Sequence, residues 1–448
     1  MGKKIEIWIL YLIVIIFFIT IILFGGLLRD ALLNKNVIPY PKTIKKLVIF
    51  ISEIPKNLYF VYNKGGKPNI LVKNSSLKNG FNNYIETERD LLLVLPKYNN
   101  ELERSEVEII DLKNFKIIHT YRHDINSMYE LYDDSRPEIK KSIVDDAPIR
   151  FEYRHPLILK DGSLISDSDY SPIYRLDVCS KLLWLNQEKI FHHSKMLDHE
   201  GNIWVPARMY PYSEIISDTY KDFGEYEDDA IAKINSDGKV LYIESVSEIL
   251  LKNKIIGDNI FLNKFSDPIH LNDIEPALED SEYWKKGDLF LSIRHQSSIL
   301  HYRPSTSEII NYIKGPFFMQ HDVDIISNKE ISIFNNNNSP LKNSNSEILI
   351  YNFETKKFSK KFNVELINEE FKTYSQGISE ILNDGSMLVE EQNRGRLIFF
   401  NNKGEKEWEY VNKDNNNDVY FISWSRIIEN KALLNSLREI YKQNKCKK

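Results

Sequence analysis

Cysteine is nearly absent from this chain, with only Cys179 and Cys446 among 448 residues. The two stand far apart, and Cys446 lies in a Lys-rich tail expected to fray, so no structural disulfide is expected. Without a cysteine pair or cluster, a thiolate zinc site is not expected either. The sequence has no Gly-rich phosphate loop and no Gly-x-Ser-x-Gly elbow, which removes the usual signatures of nucleotide binding and of a serine hydrolase. Charge of one sign is also lacking. The net charge is −5, with no basic stripe and no basic-aromatic alternation, so nucleic acid is excluded as a partner. Helical periodicity is scarce too. Before Asn430 it is hard to find outside the N-terminus, whereas Ala432, Leu433, Leu434, Leu437 and Ile440 suggest a short terminal helix.

What is present first is a long apolar run. From Ile7 to Leu28 there is no charged residue, and 22 residues at about 1.5 Å each would cross a hydrocarbon core of about 30 Å. A cleaved signal peptide would have a shorter apolar region followed by a small-x-small site, and Phe24-Gly25-Gly26-Leu27-Leu28 fits neither. A transmembrane anchor is therefore expected over 1–30. Lys3 and Lys4 precede the run, but Arg29, Lys35, Lys42, Lys45 and Lys46 follow it, so the charge count argues against export of the remainder. Residues 31–57, with Pro39 and Pro41, read as a linker, and 431–448 as a terminal helix and tail.

Between them, 58–430 reads as β throughout. Short alternating runs such as Leu241-Tyr242-Ile243 and Leu397-Ile398-Phe399-Phe400 are bounded by Asp-Gly, Asn-Asp-Gly and Lys-Gly turns. The units repeat. Asp161-Gly162-Ser163-Leu164-Ile165, Ile173–Asp177 and Leu182-Leu183-Trp184 parallel Asp384-Gly385-Ser386-Met387-Leu388, Arg396–Phe400 and Glu407–Tyr410. Starts near Asp90, Arg154, His192, His270, His321 and Gln376 give an all-β, six-bladed β-propeller with an N-terminal transmembrane helix.

Histidines open several of these units. His193 is followed ten residues later by Ile203-Trp204-Val205, and His321 at the same distance by Ile331-Ser332-Ile333. In a propeller the starts of the inner strands meet at one channel mouth. In register with His321 stand His193, Asn272 and Gln376, with His270 two residues before Asn272 and so expected on the same strand face. Gln320 and Asp322 flank His321 and are expected to orient its ring and, with Asn272 and Gln376, to contact the substrate. A neutral imidazole is a capable nucleophile near pH 7. Arg294, expected on the second strand of the His270 unit, offers the planar fork that a tetrahedral oxyanion needs. A metal held by His193, His270, His321 and Asp322 or Asp273 is disfavoured by the arginine and by the absence of His-x-His or His-x-x-x-His spacing. Glu390-Glu391 and Asp228-Asp229 are weaker candidates, for glycoside cleavage.

His270-Leu271-Asn272-Asp273-Ile274-Glu275, Gly287–Arg294, Gly315–Asp322 and Ile333-Phe334-Asn335-Asn336, with His192-His193 upstream, resemble the bacterial arylsulfotransferases. The resemblance runs from about Phe191 to Val411. It implies a six-bladed propeller, commonly exported, that moves a sulfuryl group from a phenolic sulfate to a hydroxyl acceptor without a nucleotide donor or other cofactor. By the same resemblance His321 is the nucleophile that becomes sulfurylated, and His270 and Arg294 hold the sulfuryl oxygens with Asn272 assisting. His193 is a general acid/base or further donor, taken over His192 on register. The resemblance favours a periplasmic or other extracytoplasmic propeller. The family's well-studied branch carries an extra N-terminal β domain and a cysteine pair, neither of which is expected here. Two other readings share the architecture. One is a non-catalytic propeller binding a ligand or protein at its channel mouth. The other is a quinone-dependent dehydrogenase, which would want tryptophan repeats that Trp184, Trp204, Trp284, Trp408 and Trp424 do not form. Oligomeric state is not legible.

Overall fold

A computed structural model describes residues 6–32, 40–64, 70–86, 88–145, 149–255, 266–339, 344–443 and 446. These fall into two compact units, a helical one within Met1–Pro68 and a β-rich one from Asn69 onward. Lys3, Lys4 and Lys35 of the charge count lie outside the described residues.

The helical unit begins with the apolar run as one helix, Ile7–Leu32. At 26 residues it is long and apolar enough to span a membrane, and most of its apolar side chains are exposed. A second helix, Lys42–Lys64, occupies much of the stretch expected as a linker. Its Val48 is buried, as is Ala31 of the first helix, and the Tyr40 hydroxyl donates to the Leu27 carbonyl at 3.2 Å.

The β-rich unit is built from antiparallel strands joined by the turns its sequence calls for. At Gly162, Gly201, Gly238, Gly385 and Gly404 the glycine takes φ between 76° and 84°, where L side chains are disfavoured. Each glycine N–H closes a turn onto the carbonyl three residues back, at 2.9–3.0 Å. At Gly238 a side chain would also strike Trp184, whose ring lies 2.7 Å from the place of a Cβ.

The strands form a propeller-like arrangement, but the six separate blades expected from the sequence are not found. Four blades stand as separate sheets. Leu271–Pro276 opens one with Leu289–Ile293, Ser298–Arg303 and Glu308–Ile313. Val323–Ser327, Glu330–Asn335, Glu347–Asn352 and Lys357–Lys361 make the next. Ser379–Ile381, Met387–Glu391, Arg396–Phe400 and Lys406–Val411 make the third, with Gly80–Asn83 on its outer edge. In the fourth, Arg426–Ile428 from the end of the chain pairs with Leu92–Asn99, followed by Arg104–Asp111 and Lys116–Tyr121. The strands from Arg154–Ile158 to Val240–Ser245 instead form one eight-stranded sheet. The cause is local. Leu182–Phe191 runs on for ten residues, so that Phe191 and Ile190 pair with Ala207 and Arg208 and fuse two groups of strands.

Apolar side chains between the sheets form the core, including Trp408 stacked on Phe399 at 5.2 Å. The terminal helix, Lys431–Gln443, buries Leu434, Leu437 and Tyr441 at helical spacing. Tyr441 stacks on His119 at 4.4 Å and meets the Tyr121 hydroxyl at 3.0 Å. That docking corrects the expectation about the cysteines. Because the helix is held on the sheet, Cys446 is carried back to the turn at Cys179, and the two form a disulfide with their Cα atoms 5.3 Å apart. Breaking it by reduction, or by Cys446→Ser, is expected to cost about 2–5 kcal/mol. Urea unfolding with and without reductant reads this directly, and coincident curves would mean that helix packing alone holds the tail.

Candidate active site

The site is built on strained backbone. His193, His270 and Gln376 have φ of 59°, 53° and 61°, a region that non-glycine residues enter at a cost of about 1–3 kcal/mol. Each stands just before or near the first strand of a sheet unit and turns its side chain out of the strand's alternation. His321 has ordinary φ and is held instead by pairing, its N–H donating to Phe334 at 2.9 Å while Asp322 accepts from the Phe334 N–H at 3.0 Å.

His193, His270, Arg294, His321 and Gln376 line one cavity of about 230 Å³. Asp169, Tyr170 and Ser375 complete it. The rings of His193 and His321 are 5.5 Å apart between centroids, as are those of His193 and His270. Trp424 packs edge-on to His321 at 4.6 Å. Arg294 is not on the second strand, as expected, but just past its end. It opens the single 3-10 turn Arg294–Gln296, its N–H donating to the His270 carbonyl at 3.0 Å. One guanidinium nitrogen lies 2.9 Å from His295 Nε2.

The other expected residues are not in the cavity lining. Asn272 is buried behind it and donates to the Gln320 carbonyl at 3.1 Å. The same-face argument from His270 fails because His270 is left-handed and the register slips between Leu271 and Asp273. The Gln320 side chain points into the wall, to Ser292 Oγ at 3.2 Å and the Ser298 carbonyl at 2.9 Å. Asp322 braces the next inner strand by accepting from the Ser379 N–H at 3.0 Å, as Asp273 does from Val323 and Asp229 from Leu271. Between the paired histidines, His193 faces the cavity while His192 stands behind it, Nδ1 to Nδ1 at 2.7 Å.

Burial, the Arg294 charge and His270 all disfavour a protonated His321 and hold its pKa well below the ordinary 6.5, with the Gly377 carbonyl opposing. His193 is depressed in the same way by burial and by His192, His321 and His270. Burial also lowers Arg294, against the pull of Asp267 and Tyr170. Burial alone would raise Asp267, but its hydrogen bond to His270 and the cations around it keep it below the usual range. That bond is 2.5 Å long, and His295 Nδ1 lies 2.6 Å from the Asp267 carbonyl. Among the described residues, Asp267, His270 and His295 are the set whose ligand atoms, all within 4.8 Å, could hold a cation. His270 Nδ1 is already bonded to the Asp267 carboxylate and Arg294 abuts His295 Nε2, an arrangement suited to holding an anion beside Arg294.

Several cavity neighbours escaped the sequence reading. Trp424 and His155 share the left-handed conformation, with φ of 62° and 40°, the first two residues before Arg426–Ile428 and the second within Arg154–Ile158. Tyr170 and Asp169 come from a tight turn with no motif of their own.

The model of the arylsulfotransferase (ASST) family matches residues 157–413, more than half of the chain. The chain belongs to the arylsulfotransferase family. The matched span contains the five sequence-derived residues of the cavity. Membership supports an aryl sulfotransferase-like function on small-molecule substrates. No curated protein matches the sequence. Among solved structures, a protein of unknown function from Bacteroides caccae is 11% identical over 76% of this arylsulfotransferase and 100% of its own chain, with a TM-score of 0.48. A catalytically inactive virginiamycin B lyase from Staphylococcus aureus with quinupristin is 11% identical over 59% and 71%, at 0.35. A streptogramin B lyase is 9% identical over 78% and 97%, at 0.40. Likeness at this level carries no argument about this chain.

Proposed function

We propose that this arylsulfotransferase-family protein moves a sulfuryl group from an aryl sulfate to a hydroxyl acceptor through a sulfohistidine at His321. The observation that carries this reading is the convergence of His193, His270, Arg294 and His321 on one small cavity, with His321 kept neutral. His321 Nδ1 is fully buried, so Nε2 is the nitrogen a substrate can reach. Nε2 attacks sulfur, the S–O bond to the aryl group breaks, and its electron pair leaves on the phenolate. Arg294 and His270 neutralise charge on the sulfuryl oxygens, and positioning supplies the remainder of the rate. In the second half the acceptor oxygen attacks sulfur, the N–S bond breaks back onto His321, and His193 takes the acceptor proton. His193 then releases that proton to solvent, from which the departing phenolate takes one, and the two half-reactions give ping-pong kinetics. Asn272, Gln320 and Asp322, expected as substrate contacts, act in this reading by holding the cavity wall.

The N-terminal helix anchors the protein in a membrane, with the β-rich unit on the extracytoplasmic side. The disulfide supports that side, since such bonds persist in oxidising compartments.

The direct test is intact-mass spectrometry after brief exposure to a chromogenic phenyl sulfate, with phenol release followed in the same run. A gain of about 80 Da, one SO3 on histidine, is expected. Absence of both adduct and phenol would overturn the reading in favour of a binding propeller. The pH profile offers a second check. An ordinary histidine nucleophile is about half-protonated near pH 6.5. With His321 and His193 both held below that value, kcat/KM should stay level through pH 6.5 and fall only at lower pH.

A further inference from the structure

We propose that His192 and Asp229 form a proton relay with His193, fixing the tautomer in which His193 presents a basic Nε2 to the cavity. The inference rests on the sulfuryl-transfer reading for its catalytic meaning, but the relay itself is a property of the resting protein.

Neighbouring residues on a strand should point to opposite faces. Here the left-handed backbone at His193 swings its ring back, so that the two imidazoles stand together at 4.8 Å between centroids. Their Nδ1 atoms are 2.7 Å apart, a separation that requires one shared proton. His192 Nε2 lies 3.3 Å from Asp229 Oδ1. The contact is poorly aligned, yet both atoms are buried and neither has a hydrogen-bond partner elsewhere. His192 and Asp229 are 1% and 0% exposed, so no solvent substitutes for the partner.

A carboxylate only accepts, so the proton of neutral His192 belongs on Nε2. Its Nδ1 is then an acceptor, and His193 must donate from Nδ1. The lone pair of His193 is left on Nε2, the nitrogen free of His192. When the acceptor O–H bond breaks and its oxygen joins sulfur, the proton goes to that lone pair. The resulting imidazolium keeps donating to His192, with Asp229 stabilising the charge without taking the proton.

The surroundings fit this division of roles. Asp229 Oδ2 accepts from the Leu271 N–H at 2.8 Å, which anchors the carboxylate beside His270. Arg208 Nε stands 3.5 Å from Oδ1, and its guanidinium lies 3.8 Å above the Tyr170 ring. Tyr170 in turn covers His192 at 4.9 Å. Burial disfavours a second proton on His192, and the nearby Arg208 charge adds to this against the pull of Asp229. His192 and Asp229 touch no substrate in this scheme and are positioning residues.

The test reads the tautomer directly. Imidazole 15N spectra of the full chain, with His193 assigned from the signals lost in His193→Gln, should show Nδ1–H for His193 at neutral pH. In Asp229→Asn and His192→Leu that preference should be lost. A wild-type His193 carrying Nε2–H would overturn the relay whether or not the protein is active. In the turnover assay, Asp229→Asn should lower kcat about 100-fold or more with KM changed less than about threefold, by analogy with carboxylate removal behind a catalytic histidine. His192→Gln, whose side-chain oxygen can still accept from His193, should recover at least about tenfold over His192→Leu. Equal losses in the two His192 variants, or losses matching only the unfolded fraction, would reduce His192 to a packing role. Absence of turnover in the wild type would overturn the sulfuryl-transfer reading instead, while the spectra still decide the relay.

Discussion

Replacing His321 with alanine is expected to lower kcat for phenyl sulfate by about 10³-fold or more and to abolish the SO3 adduct. In the proposed scheme the other two histidines have different tasks: His193 takes the acceptor proton, and His270, bonded through Nδ1 to Asp267, faces the sulfuryl oxygens. His321 is buried against Trp424, so its truncation leaves a cavity and thermal melts should show some loss of stability. Turnover is therefore compared per folded molecule. His193→Ala is expected to differ in kind. It should still form the adduct, since attack on sulfur needs only His321, but discharge it slowly to an acceptor. A His321→Ala protein that retains even a tenth of wild-type turnover would remove His321 from the centre of the reaction.

The second large effect is on stability. Lys195→Met is expected to cost about 3–5 kcal/mol, measured by urea unfolding. The Lys195 ammonium is fully buried and donates to Asp167 Oδ1 at 2.7 Å, to the His193 carbonyl at 3.0 Å and to the Arg154 carbonyl at 3.1 Å. Desolvation pulls both partners toward neutrality despite their attraction, taking Asp167 up to about 6 and Lys195 down to about 8. Removing one partner leaves a buried carboxylate and two carbonyls without their donor. A paired replacement, Lys195→Met with Asp167→Leu, should recover much of the loss. The same ammonium also fixes the carbonyl of His193, so activity should fall further than the folded fraction does. A cost below about 1 kcal/mol would mean that water replaces the ammonium and that the site is less closed than its geometry indicates.

Much of this architecture could be read from the sequence, for physical reasons that also mark where the reading fails. Turn chemistry at Gly162 and Gly385 reports local geometry, which repeats, and the register of His193 with His321 carries both into the cavity although only His193 is left-handed. The fusion of strands at Phe191 and Ala207 does not repeat, because it depends on the run-on length of a single strand. Asn272 is misdirected by the assumption of strict alternation, which a left-handed His270 and a bulge beside Asn272 break, and Gln320 and Asp322 by their adjacency to His321, since both turn into the wall. The same left-handed conformation brings His192 and His193 together and marks His155 and Trp424. Backbone torsions of bulky residues leave no trace in composition. The disulfide was hidden for another reason, since 267 residues of separation say nothing about distance once a terminal helix is docked.

The pairing of Arg426–Ile428 with Leu92–Asn99 has a consequence for how the protein is made. All five sequence-derived cavity residues have been synthesised once Gln376 is in place, yet the first sheet still lacks its innermost strand and His321 lacks the Trp424 ring. An emerging chain therefore carries a complete set of reactive groups on an unclosed frame until residues 424–428 arrive. A message cut short between residues 377 and 423 should yield a clearance substrate for proteases and not a weaker enzyme, and the reactive pocket is assembled only after residue 428 is made.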